Sequence, residues 1–193
     1  MKALRFLLPL LLLAPSSAPA ETYKIDSAHS QIAFSLRQFV SSVRGEFHRC
    51  SGTIEVDREH LERSSVTARI SVASIDTKIQ KRDHHLLSVE FFDAAKFPEI
   101  TFKSRTVKQT GENSGDILGE FTMHGVTKQM TLHVKLATPP SGESLPERTR
   151  WIVTTDPINR KDFGLMFSSA TESISGISSN VTPTIEIEAV RAN

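Results

Sequence analysis

Apolar and polar side chains alternate with a period of two along most of this chain. Ile32, Phe34 and Leu36 alternate with Ala33, Ser35 and Arg37, and Val66, Ala68, Ile70 and Val72 alternate with Thr67, Arg69 and Ser71. Ile100 and Phe102 alternate with Thr101 and Lys103, and Ile117, Phe121 and Met123 lie opposite Leu118, Glu120 and Thr122. Met130, Leu132, Val134 and Leu136 alternate with Thr131, His133 and Lys135, and Val181, Ile185, Ile187 and Ala189 oppose Thr182, Thr184, Glu186 and Glu188. Successive side chains of a strand point to opposite faces, so each segment predicts a strand with one apolar and one wet face. Strands of a buried parallel sheet read instead as unbroken apolar runs. Turn residues fall between the segments, at Gly111 to Gly115, at Gly125 and at Pro139 to Gly142. The pattern predicts an all-β antiparallel fold of about eight strands, and hairpins between neighbours fit an up-and-down barrel.

Two stretches break the alternation. Residues Lys78 to Ser88 (KIQKRDHHLLS) predict a short helix, and Asp57 to Arg63 predicts a polar link of about one turn. Residues Pro139 to Glu147 read as a surface loop.

The first residues have a different character. Lys2 and Arg5 precede an apolar run from Phe6 to Ala14, and Ala18-Pro19-Ala20 has the small-x-small form of an export cleavage site. The run is well short of the ~20 residues of a membrane-spanning helix. Residues 1–20 are therefore expected to be a cleaved signal peptide, with residues 21–193 forming one domain in the periplasm or beyond it. Without Lys2 and Arg5 the domain has 21 basic against 22 acidic side chains, a formal charge of −1. No basic stripe is present, which excludes a nucleic-acid partner, and the mature chain holds no transmembrane span. Cys50, the only cysteine, is expected to be a small buried thiol.

The chemistry-bearing residues form no catalytic motif. The seven histidines do not fall at His-Glu-x-x-His spacing, and neighbours His84 and His85 cannot share one helix face as a zinc pair does. No serine sits in a Gly-x-Ser-x-Gly elbow, and Cys50 has no local activating signature. The sequence therefore points to a binding protein and not an enzyme, with no required cofactor and no metal. Alternation cannot tell a barrel filled by its own side chains from one holding a ligand, and on pattern alone the filled core is the simpler reading. A filled core would make this an interaction module acting through a protein partner. A homodimer is the default assembly for either case.

Seven ordered stretches carry a resemblance. They are Tyr23 to Ser30; Val43-Arg44-Gly45-Glu46-Phe47 with Ser51-Gly52-Thr53-Ile54; Ser74-Ile75-Asp76-Thr77; Arg82-Asp83-His84-His85-Leu86 with Glu90-Phe91-Phe92-Asp93; Phe97 to Ser104; Met123 to Lys128; and Ile158 to Gly164. Together they resemble the YceI-like family over Tyr23 to Arg191. The resemblance implies a lipocalin-like barrel with a long internal tunnel, usually periplasmic. It also implies a bound polyisoprenoid, such as a quinone or prenyl lipid, or a similar fatty amphiphile. A membrane redox or envelope partner would receive that ligand. Two positions depart from the family pattern: Gln38 stands where many members have histidine, and Tyr23 where tryptophan is common.

The inward rows then supply the expected tunnel lining: Ile32, Phe34 and Leu36; Ile70 and Val72; Phe102; Phe121 and Met123; Leu132 and Val134; Ile185 and Ile187. Phe91 and Phe92 are both candidates for the lining; on a strand one would guard the tunnel mouth and the other pack outside, and the simpler reading is that the pair plugs the gap between helix and barrel. Phe163, in an apolar run with Leu165, Met166 and Phe167, is expected as a lip or a core strand. Arg82, Asp83 and His84, with Asn159 and Arg160, are the candidates for a polar mouth that contacts a ligand head, since arginine binds phosphate bidentately. Their alternative role is an Arg–Asp pair fixing the helix to the barrel.

Overall fold

The computed structural model describes residues 20–137, 145–168, 171 and 174–192. The signal segment lies outside these residues except for Ala20, as does most of the loop expected from Pro139. Twelve strands form one antiparallel sheet: β1 (Glu21–Ile25), β2 (Gln31–Gln38), β3 (Ser41–Phe47), β4 (Cys50–Val56), β5 (Ser65–Ser71), β6 (Ile75–Asp76), β7 (Glu99–Gly111), β8 (Ser114–Met123), β9 (Val126–Leu136), β10 (Arg148–Thr154), β11 (Ile158–Asn159) and β12 (Ile177–Arg191). The helix α1 (Gln80–Leu87) lies between β6 and β7.

The twelve strands are eight staves, several of them broken. β1 and β2 run in line, because both pair antiparallel with β12, at Tyr23↔Arg191 and at Ile32↔Ile185. β3 and β4 are likewise one stave, pairing with β2 at Phe47↔Ile32 and with β1 at Ile54↔Tyr23. β5 follows β4, then come β7, β8, β9, β10 and β12, and the β1–β12 pairing closes the ring. Each stave pairs with its neighbours in sequence, so the protein is a closed eight-stranded up-and-down barrel, a form with no free edge. Register shifts at Ser104/Thr106 and at Gln109/Gly111 bend the long β7, as bulges do where a barrel wall must curve.

The break in the first stave is held by charge. Asp26 accepts from Arg148 Nη1 at 2.7 Å and contacts His29 Nδ1 at 2.8 Å, and Arg148 also reaches Glu188 at 3.1 Å. The Arg148 guanidinium, and after it the His29 ring, hold the Asp26 carboxyl at a pKa of about 2.

The two ends of the barrel differ. The start of β1, the 57–64 link, the β7–β8 hairpin and the start of β10 lie at one end. At the other, the segment carrying α1 and the segment after β10 close over the staves. There Val72, Ile75, Phe91, Phe92, Ile100, Met123, Phe163 and Leu165 form a buried apolar cluster. This is the capped end. The helix and the single turn at Leu61–Arg63 stand where the sequence predicts them. Alternation did not single out β1, β3, β4 or β10. In β3 and β4 the apolar rows are interrupted by Gly45 and Gly52.

Candidate functional site: an apolar lumen

The inward side chains of the staves do not meet in the middle. Leu36, Ile70, Phe121, Leu132, Val134 and Ile185 face inward yet remain half-exposed, because the surface they present is the wall of an internal cavity. That cavity has a volume of about 740 Å³ and extends from Arg58, Gln109 and Glu112 at one end to Gln38, Arg82 and His85 at the capped end. The volume lies within the roughly 300–1,000 Å³ of small-molecule sites. The filled core suggested by alternation alone is therefore not what this barrel contains.

Glycines keep the lumen open beside the rings of Phe34 and Phe102. In β3 the inward row reads Val43, Gly45, Phe47, and a Cβ on Gly45 would stand 2.4 Å from Cζ of Phe34 on β2. In β8 the row reads Ile117, Gly119, Phe121, and a Cβ on Gly119 would meet Cζ of Phe102 at 2.4 Å and the Lys103 carbonyl at 2.6 Å. Each ring thus lies against bare backbone and not across the lumen.

Most of the expected lining residues stand on this wall: Ile32, Phe34, Leu36, Ile70, Phe102, Phe121, Met123, Leu132, Val134, Ile185 and Ile187. Phe91 and Phe92 are both on the wall and both in the buried capping cluster, so the pair plugs the capped end and the split that a strand would impose does not apply. They occupy a turn after α1, not a strand, and pack edge to face at 5.4 Å. Two residues are off the wall. β5 ends at Ser71 and the chain enters a 3₁₀ turn, which takes Val72 into the capping cluster. Phe163, on the 3₁₀ turn at Arg160–Phe163, packs edge to face on Phe121 at 5.5 Å and so backs the wall instead of forming it.

The polar candidates divide similarly. Arg82 lines the cavity but is committed to Thr77, donating to its Oγ1 at 2.7 Å and to its carbonyl at 2.8 Å. Asp83 is off the wall, accepting from Thr77 N at 2.9 Å and Thr77 Oγ1 at 2.5 Å. This pair fixes α1 to β6. His84 is exposed on α1, and Asn159 accepts from Lys161 N at 3.1 Å to cap the following turn, so neither reaches the lumen. Arg160 lines the cavity and is buried, donating to the Leu165 carbonyl at 2.7 Å and the Ser178 carbonyl at 3.2 Å, with its guanidinium 5.1 Å from the Phe167 ring centre.

Sequence reasoning missed several lining residues. Phe47, Trp151 and Val153 line strands that the alternation left out. His85 lies on the wall, stacked on Phe167 at 6.0 Å, while its neighbour His84 does not. Cys50 also faces the cavity, and burial pushes its thiol pKa up, so the group is a neutral thiol at physiological pH. Gln38 lines the cavity and donates to the Ser175 carbonyl at 3.4 Å.

The sequence profile described as the YceI-like domain matches residues 23–189, from within β1 to near the end of β12. The chain belongs to the YceI-like family. Protein YceI of Salmonella arizonae is 40% identical over 136 residues, covering 69% of this chain and 71% of that protein. Among solved structures, BcnA of Burkholderia cenocepacia superposes with a TM-score of 0.76 at 22% identity, covering 86% of this chain and 99% of that one. A polyisoprenoid binding domain from Saccharophagus degradans superposes with a TM-score of 0.64 at 18% identity, covering 88% and 98%. At these identities the two structures establish that the YceI-like barrel is shared.

Proposed function

We propose that this protein is an exported, periplasmic carrier that holds a long apolar chain in its lumen, an isoprenoid quinone or prenyl lipid or a similar amphiphile, and does no chemistry on it. The observation that carries this reading is the open lumen itself, walled along its length by Ile32, Phe34, Phe102, Phe121, Leu132 and Ile185. Kinship with a barrel named as a polyisoprenoid binding domain supports the ligand class. The expected signal segment at residues 1–20 supports the periplasm, where such a carrier would serve an envelope or membrane redox partner.

Burial drives the binding. Each buried CH₂ contributes about 0.8 kcal/mol, so a five-carbon isoprene unit brings a gross gain of roughly 4 kcal/mol. Ordering a flexible tail offsets much of it. The lumen thus sets tail length, while the few polar groups on its wall select the head. Arg82 and Arg160 spend donors on Thr77, Leu165 and Ser178, which favours an uncharged head over a phosphate.

Titration with isoprenoid quinones of increasing tail length tests this reading, followed by displacement of a fluorescent fatty probe. Affinity is expected to rise about tenfold per added isoprene unit, equivalent to about 1.4 kcal/mol, and to level off once the lumen is full. Affinity independent of tail length would reject the tail as the bound part.

A further inference from the structure

Among the described residues, seven large apolar side chains are exposed, and six of them are at the capped end: Phe39, Val40, Ile79, Val89, Met166 and Ile174. Phe39 and Val40 form the tip of the β2–β3 hairpin. Ile79 and Val89 flank α1, and Met166 and Ile174 lie in the segment between the last 3₁₀ turn and β12. Val40 is fully exposed, and Val89 and Ile174 are 78% and 77% exposed. The opposite end instead carries exposed Arg58, Glu59, Glu62, Gln109 and Glu112. The exposed large apolar side chains are thus gathered at the capped end.

We propose that the capped end is a docking face for an anionic phospholipid bilayer. The apolar side chains stand singly on separate connections and not in one packed groove. A protein partner's anchors need preformed pockets, whereas a fluid headgroup region accommodates scattered apolar side chains inserted a few ångströms deep.

The charges beside the tip agree with this choice. The register Leu36↔Val43 turns both of these residues into the lumen, so Arg37 and Arg44 face outward on the same hairpin. Both are exposed, as is Lys81 on the first turn of α1, and none of the three meets a carboxylate among the described residues. Of the carboxylates at this end, Asp162 pairs with Lys128 at 2.9 Å, Glu46 and Asp76 pair with Lys78 at 3.1 and 2.8 Å, and Glu90 lies 3.4 Å from the His85 ring, while Asp93 and Asp156, on other connections, have no ion pair among the described residues. Free cations around an apolar tip suit anionic headgroups, which concentrate basic side chains within a Debye length of the surface.

The tip is held in shape. Phe39 has a φ of +52°, its N–H donates to the Gly176 carbonyl at 3.0 Å, and its ring lies where a Cβ on residue 176 would fall. Gly176, at a φ of +59°, alone permits that contact, which ties the hairpin tip to the segment carrying Ile174. The face is also continuous with the lumen, since Phe91, Phe92, Phe167 and His85 form its inner side. Resting on the carrier reading, the docking face would be where a tail passes between bilayer and barrel.

Flotation of the mature protein with vesicles of phosphatidylethanolamine and phosphatidylglycerol tests the proposal. The wild type is expected to float with these vesicles and about tenfold less with pure phosphatidylcholine. Val40→Asp combined with Ile174→Asp is expected to reduce flotation about tenfold, as is Arg37→Glu with Arg44→Glu. None of these residues lines the lumen, so quinone affinity should stay within about twofold of wild type, equivalent to ~0.4 kcal/mol. Wild-type protein that does not float, or variants that float like wild type, would overturn the proposal. So would a dimer in sedimentation velocity that Val40→Asp dissociates, since the face would then take a second copy. Failure of the carrier reading would look different: vesicle binding intact, with no quinone bound by the wild type.

Discussion

Ala68→Trp is expected to abolish binding of a long apolar ligand while leaving the barrel folded. Ala68 faces the lumen from β5, between its partners Phe102 on β7 and Gly52 on β4, and its own small side chain leaves the space in front of it to the cavity. In a filled core an indole at this position would be ruinous, because even small overpacking costs about 1–3 kcal/mol. Here it projects into about 740 Å³ of apolar space and gains burial. The loss of quinone affinity should be at least about a hundredfold, the equivalent of roughly 2.7 kcal/mol, since the indole occupies the tail's path. The melting temperature should fall by no more than about 3 °C, corresponding to about 1 kcal/mol at this size. Displacement titration and calorimetry on the same sample check the pair of results. Collapse of the fold with unchanged affinity in the surviving fraction would place the ligand elsewhere.

The opposite outcome is expected at Tyr23. This side chain is fully buried where β1 pairs with both β4 and β12 and closes the ring. It packs with Val56, Leu136, Leu145 and Ala189, off the lumen wall. Its hydroxyl accepts from Arg191 Nη2 at 3.1 Å and lies 3.1 Å from the Pro146 carbonyl and from Glu21. Burial pushes its pKa up, so the phenol stays neutral in the closed barrel. Tyr23→Ala should cost about 3–5 kcal/mol, as truncation of other large buried rings does. That lowers the melting temperature by roughly 10 °C or more. Tyr23→Phe should cost about 1–3 kcal/mol through the hydrogen bonds lost around Arg191. Ligand affinity measured well below the melting temperature should not change for either variant. Thermal unfolding combined with low-temperature titration checks this, and a ligand defect in Tyr23→Phe would contradict the placement of the lumen.

The strands and the capped end were not equally legible in the sequence. Rows such as Met130, Leu132, Val134 and Leu136 predict both the strand and its inward face, because a wet outer face enforces strict alternation. Phe47 and Trp151 escaped because their rows pass through Gly45 and Thr149, where the apolar signal lapses although the pleat continues. Val72 misled in the opposite sense: alternation runs one residue beyond the strand, and the turn that redirects it depends on distant partners such as the Pro98 carbonyl, which accepts from Val72 N at 2.9 Å. Phe91 and Phe92 lie in a connection, where no period constrains a side chain.

The hollowness of the barrel was not legible in composition or spacing. Leu132 touching another side chain and Leu132 touching a lipid tail require the same apolar residue at the same place. Only the resemblance pointed to a tunnel. In the structure, the decisive features are half-exposed inward residues and rings lying against Gly45 and Gly119. Arg82 and Asp83 both bind Thr77 and so hold α1 through that residue, and not through a direct Arg–Asp pair.

The carrier account is tested most directly by mass spectrometry of an organic extract of the mature protein, exported to the periplasm and purified without detergent. The account predicts one long-chain isoprenoid or similar apolar amphiphile per barrel, absent from an extract of Ala68→Trp prepared alongside. A clean extract from folded wild-type protein, or the same lipid at the same yield from Ala68→Trp, would contradict it.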